Sequence, residues 1–252
     1  MTAPACFVIF AAPRTGSNLL CSLLDGHPGI LCHHGLFNPD GVHLARDFEA
    51  DPGSVAERDR DPAGFLDRVW ALGGEAQATG FKINLGESQA AIDLLLQDPS
   101  VLKLLLRRRN RLRTYVSEEI ATRTGIWESY DPPEETALPA IYVAIDDLLC
   151  HIDRNAAWYA GLEAALVATG QDWIETDYES LADPGEIARI LAFLGVEGAA
   201  PLAPACRKRG PADLADVVVN LDELTHALAG TPLGDDLAAR DAPDLRSLLL
   251  TP

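Results

Sequence analysis

Short apolar runs alternate with longer segments of helical pattern along most of the chain. Phe7–Ala11 is the first predicted strand, and it is followed by a predicted helix, Ser17–Asp25, that ends at Gly26 and Pro28. Strands that alternate with helices in this way form parallel sheets covered by helices on both faces. The pattern therefore predicts an α/β fold with a central parallel sheet of about five strands flanked by helices.

The other predicted elements continue this alternation up to residue 196. Polar residues dominate Asp40–Ala63, so we predict a loop or mobile cover there, within a substrate-covering segment near 36–65. We expect one domain over 1–252, with a weakly patterned C-terminal tail after 230. The remaining predicted strands are Ile30–Cys32, Gly80–Asn84, Val101–Leu106 and "DWIETDY", and the remaining helices are Asn110–Thr124, Ala140–Thr169 and "DPGEIARILAFLGV".

The charge and the cysteines exclude several classes of protein. The 252 residues include 20 basic and 38 acidic side chains, a net charge of −18, which would repel a nucleic-acid backbone. The five cysteines show no Cys-x-x-Cys spacing, as in reduced cytosolic proteins. The apolar run at the N-terminus is too short for a signal peptide or a membrane span. We expect a cytoplasmic enzyme without nucleic-acid partners, with the oligomeric state open and a homo-oligomer allowed.

The turn "APRTGSN" lies between the first predicted strand and its helix. Ligands of parallel α/β sheets bind beyond the carboxyl ends of the strands, and a helix N-terminus favours an anion. Arg14 would be unfavourable at this positive end of the helix unless an anion lay between them. The turn is therefore a candidate phosphate site, and a capped helix with a solvated arginine is the alternative. No Gly-Lys pair occurs in the chain, which argues against a conventional kinase or ATPase.

Five arginines surround the start of the helix that follows "VLKLLL". Cations oppose the helix dipole there, and a bound polyanion would relieve the conflict. We expect Arg109 and Ser117 to bind a phosphate, and Arg107, Arg108 and Arg111 to pair with carboxylates on the surface. A second basic cluster, Arg207, Lys208 and Arg209, is either a further anion contact or a solvated loop.

Taken together, these segments resemble the sulfotransferases that use 3′-phosphoadenosine-5′-phosphosulfate (PAPS). "PRTGSNLL" is similar to the 5′-phosphosulfate loop of the bacterial carbohydrate and Golgi branches, and "RNRLRTYVS" to the 3′-phosphate motif. "DYESLADPGEIARILAFLGV" and "VVVNLDEL" resemble later segments of the family. The ordered set spans most of the chain. The resemblance implies a P-loop-NTPase-like sulfotransferase fold and a sulfotransferase of the EC 2.8.2 type.

The resemblance also implies roles for individual residues. Arg109 and Ser117 would bind the 3′-phosphate, Tyr178 would lie near the adenine, and Lys82 would face the transferring group, although "GFKIN" also reads as an ordinary strand. The cluster at 207–209 would supply a further contact to the 3′-phosphate. The 5′-phosphosulfate would be held by Pro13, Arg14, Thr15, Gly16, Ser17 and Asn18. The product would be 3′,5′-adenosine bisphosphate (PAP), and no metal is expected.

The sequence departs from its relatives at the general base. Related chains resemble Cys-x-x-Glu after "HPG", but Gly35 stands at the glutamate position. The cytosolic branch has a histidine on a later strand, and Asn84 stands at that position. His34, with His33 as second choice, is the predicted substitute because imidazole transfers protons near neutral pH. The alternative makes both histidines ordinary polar residues at a strand end.

The leading hypothesis is a transfer of the sulfuryl group from PAPS to a hydroxyl of a small molecule, glycan or lipid, by in-line displacement with a general base. Arg14, the loop amides and Lys82 would stabilise the charge that develops during transfer. The alternatives are a non-catalytic protein that binds PAP or PAPS and, with less support, an atypical P-loop kinase. The identity of the acceptor is beyond the sequence.

Overall fold

A computed structural model of the chain describes residues 4–127, 137–197, 211 and 213–239. Within these ranges, five strands form one parallel sheet, so the predicted α/β class with a five-stranded parallel sheet is confirmed. The strands are β1 (Ala5–Ala11), β2 (Ile30–Gly35), β3 (Ala78–Asn84), β4 (Val101–Arg107) and β5 (Trp173–Asp177), and their order in the sheet is β2-β3-β1-β4-β5.

Helices cover both faces of the sheet. One face packs against α1 (Ser17–Asp25) and α7 (Pro184–Phe193), and the other packs against α3 (Pro62–Ala71), α4 (Gln89–Gln97) and α6 (Ile145–Thr169). The alternation of side chains along a strand divides the sheet between the two faces. Ile9 of β1, for example, belongs to the first core, whereas Val8 and Phe10 belong to the second.

A third apolar cluster lies beside the sheet. It joins α5 (Arg111–Thr124) to α8 (Leu221–Ala227) and α9 (Pro232–Ala238). The segment after residue 230, predicted to be weakly patterned, therefore contains a helix. In the described part of the chain, none of the helices combines the length and the apolar character that crossing a bilayer requires.

The central strand β1 runs directly into the turn that precedes α1. Because every strand is parallel to β1, the carboxyl ends of all five lie at the same edge of the sheet as this turn. A turn that connects the central strand of a parallel sheet to the first helix is the arrangement of P-loop-like folds, which the resemblance implied.

The segment predicted as a loop, Asp40–Ala63, contains helix, and that part of the prediction is wrong. α2 (Val55–Arg60) begins with a reciprocal capping box between Ser54 and Glu57, and α3 begins at Pro62. Both are recognised helix starts, so here the local capping signals outweigh the polar composition.

Arg58 of α2 fixes the residues that follow β2. Its side chain is buried, and its Nη1 donates hydrogen bonds to the carbonyl oxygens of Leu36 (2.9 Å), Asn38 (2.7 Å) and Gly41 (3.2 Å). One buried guanidinium therefore satisfies three backbone acceptors of the turn beside the end of β2.

Two other predicted boundaries move. The long helix begins at Ile145 rather than Ala140, because Ile141 forms a parallel bridge with Val218 instead of a helical turn. β2 continues to Gly35 through a bulge: His33 lies opposite Phe81 and Gly35 opposite Lys82, so His34 is an extra residue in the strand. A bulge changes the direction of the side chains around it.

Candidate functional site

The turn after β1 has the backbone of an anion-binding loop. Arg14 and Gly16 both adopt positive φ, 64° and 95°, and Gly16 is the N-cap of α1. A glycine cap offers no side chain to the N–H groups of the first turn, which leaves them for a ligand. The hydroxyl of Thr15 donates to the carbonyl oxygen of Ala12 over 2.8 Å, which fixes the turn internally.

Arg14 connects this loop to α5. Its Nε donates to the hydroxyl oxygen of Ser117 over 2.9 Å, and its Nη1 donates to the carbonyl oxygen of Trp127. Arg108 closes the connection, because its Nη1 donates to the carbonyl oxygen of Arg14 over 3.2 Å. The structure thus brings the predicted 5′-phosphosulfate loop and the serine of the predicted 3′-phosphate motif into direct contact.

Arg109 is placed differently from Ser117. Its side chain is 67% exposed and lies between two carboxylates, with Nη2 3.1 Å from Asp177 and Nε 3.7 Å from Glu179. The same Glu179 accepts hydrogen bonds from the backbone N–H groups of Arg109 and Asn110. A carboxylate at the N-terminus of α5 offsets the positive end of the helix dipole. Part of the electrostatic conflict seen in the sequence is therefore resolved within the chain.

The neighbouring arginines are also paired. Arg107 contacts Glu163 and Glu175, and Arg111 lies 3.0 Å from Asp236, as the sequence predicted for these two arginines. Glu179 was not predicted as a cap, although "DYES" has an acidic residue directly after a predicted strand that ends at the same edge of the sheet.

Tyr178 packs against the loop. It is 7% exposed, its ring lies against Gly16, and the guanidinium carbon of Arg108 lies 4.6 Å from the ring centroid. A Cβ atom at position 16 would be 2.4 Å from Cδ2 of Tyr178. The loop, the start of α5 and the residue after β5 thus form one continuous surface.

A cavity of about 360 Å³ opens beside this surface. Ala12 and Thr15 of the loop form one side, and α6 forms another with His151, Asn155 and Tyr159. Arg107, Arg108 and Arg109 complete much of the wall together with Glu175 and Asp177, so the cavity combines paired charges with aromatic groups. Such a lining suits a ligand that carries both negative charge and a ring.

Lys82 and Asn84 lie on the other side of β1, near the start of α1. Lys82 of β3 is 6% exposed. In the sheet it lies opposite Ile9 of β1 on one side and opposite Gly35 of β2 on the other. The hydroxyl of Ser17 donates to Oδ1 of Asn84 over 3.4 Å, which connects the first turn of α1 to the end of β3.

The two histidines are both buried at the end of β2. Nδ1 of His33 accepts a hydrogen bond from the backbone N–H of Ala45 over 3.0 Å, and its ring packs against Phe48. Burial, together with His34, lowers the pKa of His33 to about 4. His34 is the bulge residue, and its backbone N–H donates to the carbonyl oxygen of His43.

The remaining predicted residues divide between described and undescribed parts. Pro13 is half-buried in the loop, and the amide oxygen of Asn18 is buried without a hydrogen-bond partner among the described residues. Arg207, Lys208 and Arg209 lie outside the described residues. Over the described ranges, no three His, Cys, Asp or Glu side chains are grouped so that they could hold a metal ion.

The comparison with known proteins extends over nearly the whole sequence. The chain is 27% identical to Nodulation protein H of Rhizobium tropici, a sulfotransferase, over an alignment 257 positions long that covers 96% of each chain. The predicted resemblance to the sulfotransferases is confirmed. No protein-family model matches the sequence.

Two solved sulfotransferases show a weaker likeness to this sulfotransferase-like chain. One, from Alicyclobacillus acidocaldarius, is 20% identical, with a TM-score of 0.44 over 97% of this chain and 100% of the other. The second is mouse SULT7A1 complexed with PAP, 13% identical, with a TM-score of 0.43 over 78% of this chain; the match spans only 61% of the mouse chain. Neither likeness bears on the chemistry of the site.

Proposed function

We propose that this protein is a sulfotransferase that moves the sulfuryl group of PAPS to a hydroxyl of a small molecule, glycan or lipid. The observation that carries the proposal is the contact between Arg14 and Ser117. It joins the two segments that the sequence assigns to opposite ends of the same nucleotide, next to Tyr178. The full-length similarity to a sulfotransferase supports the same reaction class.

The residues of the loop would bind the 5′-phosphosulfate. The uncapped N–H groups at the start of α1 and the guanidinium of Arg14 supply positive charge, and Thr15 and Ser17 supply hydroxyls. Preorganised donors of this kind stabilise charge that develops on oxygen during group transfer. Pro13, Gly16 and Asn18 would complete the loop.

Ser117 and Arg109 would bind the 3′-phosphate, and Tyr178 would pack near the adenine. In this assignment Arg109 leaves its exposed ion pairs with Asp177 and Glu179, which contribute little, and binds the 3′-phosphate instead. Arg207, Lys208 and Arg209 are proposed as a further contact to the same phosphate. Lys82, buried beside the start of α1, would stabilise the oxygens of the transferring group. For the general base the sequence predicts His34 or His33, and both side chains are buried at the end of β2.

Calorimetric titration with PAP, adenosine 5′-monophosphate and Mg-ATP tests the donor. We expect PAP to bind at least tenfold more tightly than the monophosphate, without any need for metal, because only PAP reaches Ser117 with a second phosphate. A preference for Mg-ATP would favour the kinase alternative, and tight PAP binding without sulfuryl transfer would favour the non-catalytic one.

Ser117→Ala sharpens the test. It should weaken the binding of PAP at least tenfold and that of the monophosphate much less, because the loss of a hydrogen bond to a charged group costs roughly 1.5–3 kcal/mol, or about 10- to 150-fold. Ser100→Ala is the matched control, since Ser100 precedes β4 at the opposite edge of the sheet and bonds to Asp98. Equal losses for both nucleotides in Ser117→Ala would contradict the assignment of the 3′-phosphate.

A further inference from the structure

The carboxylate of Glu87 fills the space beside Gly35 at the end of β2. A Cβ atom built on Gly35 would lie 3.6 Å from Oε1 of Glu87 and 3.7 Å from Nζ of Lys82. The bulge at His34 creates this arrangement, because it brings Gly35 opposite Lys82 in the sheet. A carboxylate and an ammonium group therefore lie within 4 Å of one point, next to a residue that has no side chain.

Hydrogen bonds hold this carboxylate in one orientation. Oε2 of Glu87 accepts from the backbone N–H of Asn84 over 3.1 Å, and Oε1 accepts from Nδ2 of Asn84 over 2.9 Å. The backbone N–H of Glu87 donates to the carbonyl oxygen of Asn84 over 3.0 Å, so a tight turn places the side chain. Gly86, with φ of 92°, supplies the left-handed residue of this turn.

The same turn connects Glu87 to Ser17 of the predicted 5′-phosphosulfate loop. The amide of Asn84 donates to Glu87 through Nδ2 and accepts from the Ser17 hydroxyl through Oδ1. Glu87 is therefore two hydrogen bonds away from the first turn of α1. An ionised carboxylate has about four acceptor positions, and Asn84 occupies two of them. Glu87 is partly exposed, so a hydroxyl can approach the others.

His33 is less suited to accept a proton there. Its Nδ1 already accepts from the backbone of Ala45, so the neutral ring carries its proton on Nε2. Its lowered pKa, about 4, leaves it a weak base that is held in a buried packing contact with Phe48. Its role in the geometry is to fix the segment at 45–48 against β2.

We propose that Glu87, rather than His34 or His33, is the general base of the transfer, in place of a carboxylate at position 35; this rests on the proposed function. The acceptor oxygen forms a bond to sulfur while the bond between sulfur and the phosphate oxygen of PAPS breaks. The electron pair of that bond leaves on PAP, and the proton of the acceptor hydroxyl passes to a carboxylate oxygen of Glu87. Lys82 stabilises the sulfuryl oxygens on the same side.

The test measures sulfuryl transfer from ³⁵S-labelled PAPS to methyl glucoside, whose hydroxyls stay protonated at neutral pH, and to water, together with calorimetric PAP binding. Glu87→Gln keeps the size of the side chain and one of the two hydrogen bonds that it accepts from Asn84, but its amide cannot accept the proton. We expect its turnover to fall at least 100-fold, as for a lost general base, with PAP affinity within twofold of wild type. Glu75→Gln, an exposed position before β3 at the other edge of the sheet, is the matched control and should behave as wild type.

A rescue variant separates a base from a structural residue. Gly35 has no positive φ, and a Cβ atom at this position would lie at ordinary distances of 3.4 Å and more from its nearest neighbours, so the first atom of a side chain fits. Gly35→Glu in the Glu87→Gln background returns a carboxylate to this end of β2. The double variant should turn over at least tenfold faster than Glu87→Gln alone. A merely structural role for Glu87 would give no such recovery.

The outcomes distinguish the two proposals. A wild-type protein that does not bind PAP, or that binds PAP and transfers no labelled group to either acceptor, overturns the proposed function and the base together. If the wild type is active and Glu87→Gln is within threefold of it, the function stands and the base assignment is wrong. A loss in Glu87→Gln that is matched by a loss of PAP affinity, or that Gly35→Glu does not recover, also rejects Glu87 as the base.

Discussion

Position 16 in the turn after β1 favours a glycine for two separate reasons. Its φ of 95° is a conformation that side chains rarely adopt, and a Cβ atom there would overlap the ring of Tyr178 at 2.4 Å. The residue is therefore constrained twice, once by its backbone and once by the close approach of an aromatic ring that is itself buried.

We predict that Gly16→Ala destabilises the protein by about 2–4 kcal/mol, as the sum of roughly 1 kcal/mol for the left-handed backbone and 1–3 kcal/mol for the overlap. Chemical denaturation measures the loss. Gly86→Ala is the matched control: its φ is 92°, but nothing lies within 4 Å of its Cβ position, so only the backbone cost applies. Equal losses in the two variants would show that the contact with Tyr178 does not limit position 16.

The residues of the turn after β1 were easier to identify from the sequence than the position of Glu87. Arg14, Gly16 and Ser117 stand in ordered motifs whose chemistry is local, and the structure places them around one turn. Glu87 follows β3 in a short turn, and its relation to Gly35 depends on the bulge in another strand. No spacing along the sequence expresses that relation, because it arises from the register between β2 and β3.

Tyr159 shows how one element ties others together. From the middle of α6, its hydroxyl oxygen accepts from the backbone N–H of Ala12 over 2.8 Å and donates to the carbonyl oxygen of Leu106. Burial raises the pKa of Tyr159 to about 12, so the hydroxyl stays protonated and can serve both partners. The ends of β1 and β4 are thus fixed by the same helix directly below the loop.

We predict that Tyr159→Phe costs about 1–3 kcal/mol of stability, because it leaves the buried N–H of Ala12 without its acceptor. Urea denaturation checks this value. Tyr142→Phe removes the same hydroxyl at a position that is 55% exposed, where the bond to Glu223 is 3.4 Å long, and should change stability by less than about 0.5 kcal/mol. Similar losses in the two variants would contradict a special role for the Tyr159 hydroxyl.

At the scale of elements, the sequence predicted all five strands and the helices of strongest pattern. It did not predict α4, α8 and α9, nor α2 and α3, although Ser54 with Glu57 and Asp61 with Pro62 are recognisable helix starts within a polar segment. The start of α6 could not be predicted locally, since the bridge between Ile141 and Val218 joins segments far apart in the chain.

At the scale of the molecule, buried histidines couple folding to pH. Burial lowers the pKa of both His33 and His151 to about 4; His34 contributes for the first and Arg154 for the second. In the unfolded chain a histidine titrates near 6.5. Between about pH 4 and 6.5 the unfolded state therefore binds more protons than the folded state, and stability falls as the pH is lowered through this window.

We predict that each of these histidines lowers the free energy of unfolding by up to about 1 kcal/mol for every unit by which the pH falls within that window. Unfolding free energies of the wild type and His151→Gln at pH 7, 6 and 5 measure it, and the variant should show the smaller pH dependence whatever its absolute stability. Parallel pH profiles for the two proteins would mean that His151 titrates alike in the folded and the unfolded chain.

The position of β1 in the middle of the sheet separates two groups of residues. Arg14, Ser117 and Tyr178 lie toward β4 and β5, whereas Lys82 and Glu87 lie toward β3 and β2. Substitutions in groups without shared contacts tend to add in free energy. Under the proposed function, variation on the second side can alter which acceptor reacts while the nucleotide is still bound in the same way. Such a chain can acquire new acceptors in evolution, or in directed selection, without rebuilding its use of the donor.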